Sequence, residues 1–200
     1  MQKKEKDSAD TFFLDTNVLL DYLEKRHNDV YKVISELLQL SKEGKIILVT
    51  SIFNIAELLE KELDIAFYNR CMKKKMSCDE IIRSAKSKGG SYERALENCR
   101  GRLESKVKRL IEDNKLLLLS LPDNLDPVDQ VCDLVVNRFL SSQDAMIVTT
   151  ALAYSVTYFL SNDKQLVEKI GKIGWFYIYN LRKDNQRETF CNTVLKVAQS

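Results

Sequence analysis

The chain has 200 residues, 44% hydrophobic and 30% charged, with a formal net charge of +2. This is enough for one sizeable hydrophobic core, and the balance is that of an ordinary soluble globular protein. Five cysteines (Cys71, Cys78, Cys99, Cys132, Cys191) form no Cys-x-x-Cys pair, and His27 is the single histidine. A disulfide framework, a zinc site and a hydrolase with an imidazole base are all disfavoured, and reduced thiols in a cytoplasm are expected. The polar residues 1–10 do not form a signal peptide. The longest apolar stretch, Ala145 to Leu160, is interrupted by Thr149, Thr150, Ser155 and Thr157 and falls short of the ~20 residues a membrane helix needs. No membrane association is expected.

The first element is a short buried strand over Thr11 to Asp15. A helix is predicted from about Asn17 to Lys25. Another begins at Val30, where Val30, Val33, Ile34, Leu37 and Leu38 make one apolar face and Gly44 marks the end. Ile46 to Val49 reads as the second strand. Ser51 caps the next helix, whose Ile52, Ile55, Ala56 and Leu59 are expected to point inward. From about Glu60 to Asn114 the sequence is helical and highly charged, with a break near Gly89-Gly90. Lys115 to Ser120 is a third buried strand, closed by Pro122 and Pro127. Val128, Val131, Cys132, Val135 and Phe139 then recur at helical spacing. A further helix starts near Ser142, a fourth strand spans Val156 to Ser161, a short helix follows Asp163, Trp175 to Tyr179 is a fifth strand, and a terminal helix begins near Gln186. Strands alternating with helices imply an α/β fold, a parallel sheet with helices on both faces. In such folds ligands bind beyond the carboxyl ends of the strands.

Four acids stand where that geometry directs attention. Asp15 ends the first strand, Asp163 follows the fourth, and Glu57 and Asp144 lie near the starts of helices. Each has a plain structural reading. Asp15 and Asp163 can cap helices, Glu57 is four residues before Lys61 at ion-pair spacing, and Asp144 sits in a first helical turn, where negative charge is favoured. Their joint placement beside strongly apolar segments points instead to a cleft. Two carboxylates about 4 Å apart repel by roughly 4 kcal/mol at an effective dielectric near 20. A cluster of them therefore calls for protons or a cation, and hard oxygen ligands without His or Cys point to Mg²⁺ or Mn²⁺.

The segments Phe-Leu-Asp15-Thr-Asn-Val-Leu-Leu-Asp-Tyr-Leu, Ser-Ile-Phe-Asn-Ile-Ala-Glu57-Leu-Leu, Gln-Asp144-Ala-Met-Ile and Leu-Ser-Asn-Asp163-Lys-Gln-Leu, in that order, resemble a PIN-domain nuclease. The resemblance covers Thr11 to about Glu60 and Lys115 to about Tyr179. It implies a three-layer α/β/α sandwich with a parallel sheet of about five strands. The nuclease domain would run over 11–180 with a helical insertion at about 60–114, and 181–200 would form a C-terminal tail or helix. It further implies an endoribonuclease that hydrolyses RNA phosphodiester bonds with Asp15, Glu57, Asp144 and Asp163 as catalytic and metal-binding residues. Thr16, Asn17 and Asn162 match positions that orient the acids or water. Gln165 and Leu166 occupy the region where some members carry a further acid, and Asp21 reads as a solvated helix position, with an extra acid of the site as the alternative. An antitoxin protein and a homodimer are the partners this resemblance raises, for either a toxin or an RNA-processing enzyme. A non-catalytic RNA- or protein-binding module on the same fold is the alternative. Two other phosphate chemistries fit poorly. A dehalogenase-type phosphatase would want Asp-x-Asp where Asn17 stands, and a receiver domain would want an aspartate where strand three ends in Ser120-Leu121-Pro122.

Charge is unevenly spread. Arg70 to Arg109 holds thirteen Lys or Arg against five Asp or Glu, while the rest of the chain is net acidic. Arg70, Lys73, Lys74 and Lys75 form one cluster and Arg100, Arg102, Lys106, Lys108 and Arg109 another. The expectation is a helical arm above the active site that grips RNA phosphates. The plain alternative is a solvated helical hairpin.

Overall fold

The structure, a computed structural model, describes residues 10–87, 91–113, 115–123 and 126–199, without the side chains of 91, 94–96, 98, 99, 102 and 103. The predicted break at Gly89-Gly90 lies outside the described residues. Five short strands make the sheet: β1 Thr11–Leu14, β2 Ile47–Ser51, β3 Leu116–Leu119, β4 Tyr158–Leu160 and β5 Tyr177–Tyr179. They lie in the order β3-β2-β1-β4-β5, and every pairing is parallel. Hence β1 is central, and the carboxyl ends of β1, β2 and β4 sit side by side.

Alternation along β1 splits the core into two layers, since successive side chains point to opposite faces. Phe12 and Leu14 pack with Leu48 against α1 (Thr16–Leu23), α2 (Asn28–Lys42) and the start of α3 (Ile52–Lys73), with Phe190 from α9 (Asp184–Phe190). Phe13, Val49 and Phe159 pack on the other side against α6 (Asp126–Arg138), α7 (Ser142–Ala153) and α8 (Lys164–Gly171). Across β1 and β4, Phe13 stacks on Phe159 with ring centroids 4.9 Å apart. Helices on both faces of a parallel five-stranded sheet give the expected three-layer sandwich. The α2 face is as predicted, and Gly44 takes a left-handed φ of 75° after it, a conformation glycine adopts without steric cost.

Three local expectations are corrected. β3 is an edge strand rather than a buried one: Leu116 is buried while Leu117 and Leu118 are exposed. In α3 the inward positions are Ile55 and Leu58, with Leu59 half-buried, and Ile52 and Ala56 face solvent. In α6 the sheet is met by Leu134 with Val131 and Val135, leaving Val128, Val136 and Phe139 exposed. Both apolar stripes of α6 have helical spacing, so periodicity alone does not choose between them.

Between β2 and β3 the chain forms a helical arm. α3 runs on to Lys73, α4 spans Cys78–Ser87, and α5 spans Ser91–Lys108 and ends in a wider turn over Arg109–Asp113. Phe67 and Cys71 of α3 meet Tyr92 of α5, with Met76, Ile81 and Ala85 around them, which gives the arm a small core of its own. Cys71, Cys78, Cys132 and Cys191 are free thiols. Among the described residues no helix is long and apolar enough to cross a membrane.

Candidate active site

Asp15 lies immediately beyond the central strand and is 3% exposed. Its Oδ1 accepts from the Thr16 N–H at 2.8 Å and from Asn54 Nδ2 at 3.1 Å. Its Oδ2 accepts from Ser161 Oγ at 2.7 Å. Burial pushes its pKa up to about 6, with Glu57 adding to the rise and the hydrogen bonds from Ser161 and Thr16 opposing it.

Glu57 approaches from the second turn of α3. That helix is anchored by a reciprocal cap: Asn54 N donates to Ser51 Oγ at 3.2 Å and Ser51 N to Asn54 Oδ1 at 3.3 Å. Asn54 therefore does two jobs, since its Nδ2 also donates to Thr16 Oγ1 at 3.0 Å. Thr16 Oγ1 in turn donates to Glu57 Oε2 at 2.5 Å. Lys61, one turn further along, meets Glu57 Oε1 at 2.7 Å and donates to Asn17 Oδ1 at 3.1 Å. Thr16 thus bonds both acids directly, while Asn17 holds the lysine paired with Glu57.

The third and fourth acids are placed differently. Ser161 Oγ accepts from the Asp163 N–H at 3.1 Å while donating to Asp15, so one hydroxyl ties the ends of β1 and β4 together. The Asp163 carboxylate itself accepts from the N–H groups of Gln165 and Leu166, at 2.7 and 3.0 Å, as the N-cap of α8. Asp144 is in the first turn of α7, where its Oδ2 accepts from Ser141 Oγ at 2.7 Å. Among the described residues no three His, Cys, Asp or Glu side chains stand close enough to hold a metal ion. Asp15 and Glu57 are brought together; Asp144 and Asp163 remain at helix starts. The chemistry of the pair still fits a hard cation, because Mg²⁺ keeps several waters and takes only one or two carboxylates.

Asn162 is half of an unforeseen network. Its Nδ2 donates to Asp21 Oδ2 at 2.8 Å, and its Oδ1 accepts from the Arg182 N–H at 3.2 Å. Arg182 clamps Asp21 through Nε–Oδ2 at 2.7 Å and Nη2–Oδ1 at 2.6 Å. Asp21 is completely buried, which overturns its reading as a solvated helix position. Asn162 accordingly holds the chain next to Ser161 and Asp163 rather than touching an acid of the site. Asn54, Ser161 and Arg182 were not singled out from sequence, and Lys61 was noted only as an ion-pair partner of Glu57. For those three the Ser51-x-x-Asn54 spacing was the one signal present, and it speaks for a cap.

Of the basic residues, Lys73, Lys74 and Lys75 are exposed at the end of α3, roughly 25 Å from Glu57 along the helix axis at the usual helical rise. They stand at the arm's tip, not over the acids. Arg70 is half-buried, with a buried Nε that has no hydrogen-bond partner among the described residues. Arg100 pairs with Glu104 at 3.0 Å. Lys106 is drawn inward by Glu24 and by Glu62, the latter at 3.1 Å, so its charge is committed within the protein. Lys108 and Arg109 are exposed, and the Arg102 side chain lies outside the described residues.

No curated protein matches this chain. Its structure is similar to VapBC2 from Rickettsia felis bound to a DNA fragment from their promoter, at 15% identity and a TM-score of 0.48, covering 84% of this chain and 96% of that one. It is also similar to VapBC-1 from nontypeable Haemophilus influenzae, at 16% identity and a TM-score of 0.48, covering 86% of this chain and 99% of that one. The family model described as the PIN domain matches residues 12–172, and the chain therefore belongs to the PIN domain family.

Proposed function

We propose that this protein is a divalent-metal-dependent nuclease that hydrolyses RNA phosphodiester bonds, with Asp15, Glu57, Asp144 and Asp163 as its acids. The observation that carries the reading is the buried Asp15 carboxylate, held by three donors beside Glu57 at the end of the central strand. A desolvated carboxylate next to another acid is costly unless a cation comes to it. When bound, Mg²⁺ or Mn²⁺ would polarise the phosphate and lower the pKa of an attacking water. The chain's own part is orientation. Thr16 and Asn54 fix the Asp15 and Glu57 carboxylates relative to each other, and Ser161 fixes Asp15 to the segment that carries Asp163. Asp144 and Asp163, at the mouths of α7 and α8, would position the attacking water. A toxin role would require an antitoxin partner, expected as a small DNA-binding protein encoded beside this chain.

One observation favours a non-catalytic binding module instead: the absence of a three-acid cluster among the described residues. The two readings part in one experiment. Mn²⁺ should raise the melting temperature and support cleavage of mixed RNA, and Asp15→Asn should lower cleavage by at least about 10²-fold, as loss of a group central to charge stabilisation does. If Mn²⁺ leaves both melting and RNA unchanged, the binding module is the better account.

A further inference from the structure

We infer that Lys61 is a built-in counter-cation of the Asp15–Glu57 pair, which a divalent ion has to displace before it binds. The inference rests on the metal-dependent reading of the site. The Lys61 ammonium stands 2.7 Å from Glu57 Oε1 and 3.1 Å from Asn17 Oδ1. It therefore bridges the two elements that carry the acids, α3 and the first turn of α1. Each remaining oxygen already accepts at least one hydrogen bond from a neutral donor. Glu57 Oε2 accepts from Thr16, Asp15 Oδ1 from Thr16 and Asn54, and Asp15 Oδ2 from Ser161. Thr16, Asn54 and Ser161 are completely buried, so those donors are fixed. Lys61 is the exception: its side chain is 35% exposed, on a flexible four-carbon stem that can carry its charge out into solvent.

Glu57 Oε1 is thus the exchangeable position of the pair. With no metal present, Lys61 neutralises part of the charge there and keeps the acids folded in place. A divalent ion at the same oxygen would lie within a few ångströms of the ammonium, where repulsion at an effective dielectric near 20 far exceeds a tenfold change in affinity. Binding is then an exchange of one cation for another. Lys61 sets the metal concentration at which the site fills, holding it above the value the carboxylates alone would give.

The test is Mn²⁺ binding by titration calorimetry on the full chain, comparing the wild type with Lys61→Met and Lys61→Arg. Lys61→Met should bind Mn²⁺ at least about tenfold more tightly, while Lys61→Arg, which keeps the charge, should stay near wild type. Equal or weaker binding by Lys61→Met, with the wild type binding normally, overturns the inference and leaves the metal-dependent reading standing. Absence of Mn²⁺ binding by the wild type and by Lys61→Met overturns the two together. A measurement on the wild type guards against a folding defect in the methionine variant. Mg²⁺ added to protein with ¹³C-labelled lysine ε-carbons should shift the Lys61 signal, identified by its loss in Lys61→Arg, toward that of a free lysine. A Lys61 signal unmoved at saturating Mg²⁺ refutes the exchange.

Discussion

Burial is the main reason the Asp15 carboxyl titrates at about 6, and the consequence for stability has a definite sign. Between its ordinary value near 3.8 and about 6, the folded protein holds a proton that the unfolded chain has released. Stability contributed by this group therefore falls as pH rises through that window, and the penalty persists above it. Two pKa units correspond to about 3 kcal/mol at most. Asp15→Asn should accordingly melt at an equal or higher temperature than the wild type near pH 7 without metal, and the gap should close below about pH 4. Thermal melts across this range decide the matter. A clear loss of stability near neutral pH would mean that capping and hydrogen bonding, not charge, govern the position. Asp15 and Glu57 were legible because apolar runs flank them. Ser161 was not, because its bond to Asp15 spans 146 positions, and nothing local to Leu-Ser-Asn marks that hydroxyl.

Among the elements, the loop between β5 and α9 does more than its sequence announces. Arg182 sits there and closes on Asp21 in α1, 161 positions away, and Asn162 joins them at the end of β4. Asp21 follows three apolar residues in a helix, a context that reads equally as a surface acid. The approach of Arg182, with the Asn162 amide, makes its burial tolerable. Arg182→Met should strand the Asp21 charge and cost about 3–5 kcal/mol, measured by denaturant unfolding. A loss under about 1 kcal/mol would mean that water reaches Asp21 when the arginine is gone. The same limit of local pattern explains α6 and β3. Valine stripes on two sides of α6 are equivalent until Leu134 is set against the sheet, and Leu-Leu-Leu-Leu in β3 looks buried until the strand order puts it at an edge. In α2, by contrast, one apolar face is opposed by a charged one, and the sequence leaves no choice.

Across the whole molecule, charge and chemistry are separated. Asp15 and Glu57 meet at the carboxyl end of the central strand, while Lys73, Lys74 and Lys75 stand at the far end of a long helix. The basic segment was legible from composition. Its position was not, because composition carries no direction, and α3 leads away from Glu57 for several turns. If the tip grips RNA, replacing Lys73, Lys74 and Lys75 by Gln should reduce the magnitude of the salt-dependence slope by about 2, the value for three phosphate contacts on a single strand. Unchanged affinity and slope in a binding assay at moderate salt would leave the tip as a solvated surface.

The strand order also has a temporal side. β1 pairs with β4 across 146 positions, as Phe12 with Tyr158, and contacts so distant are made late, because a long loop must close before they are rewarded. During synthesis Asp15 and Glu57 emerge early, yet the hydroxyl that pins Asp15 arrives only when Ser161 does. A chain still in synthesis therefore lacks the hydroxyl that ties the end of β1 to the end of β4 until Ser161 has been added.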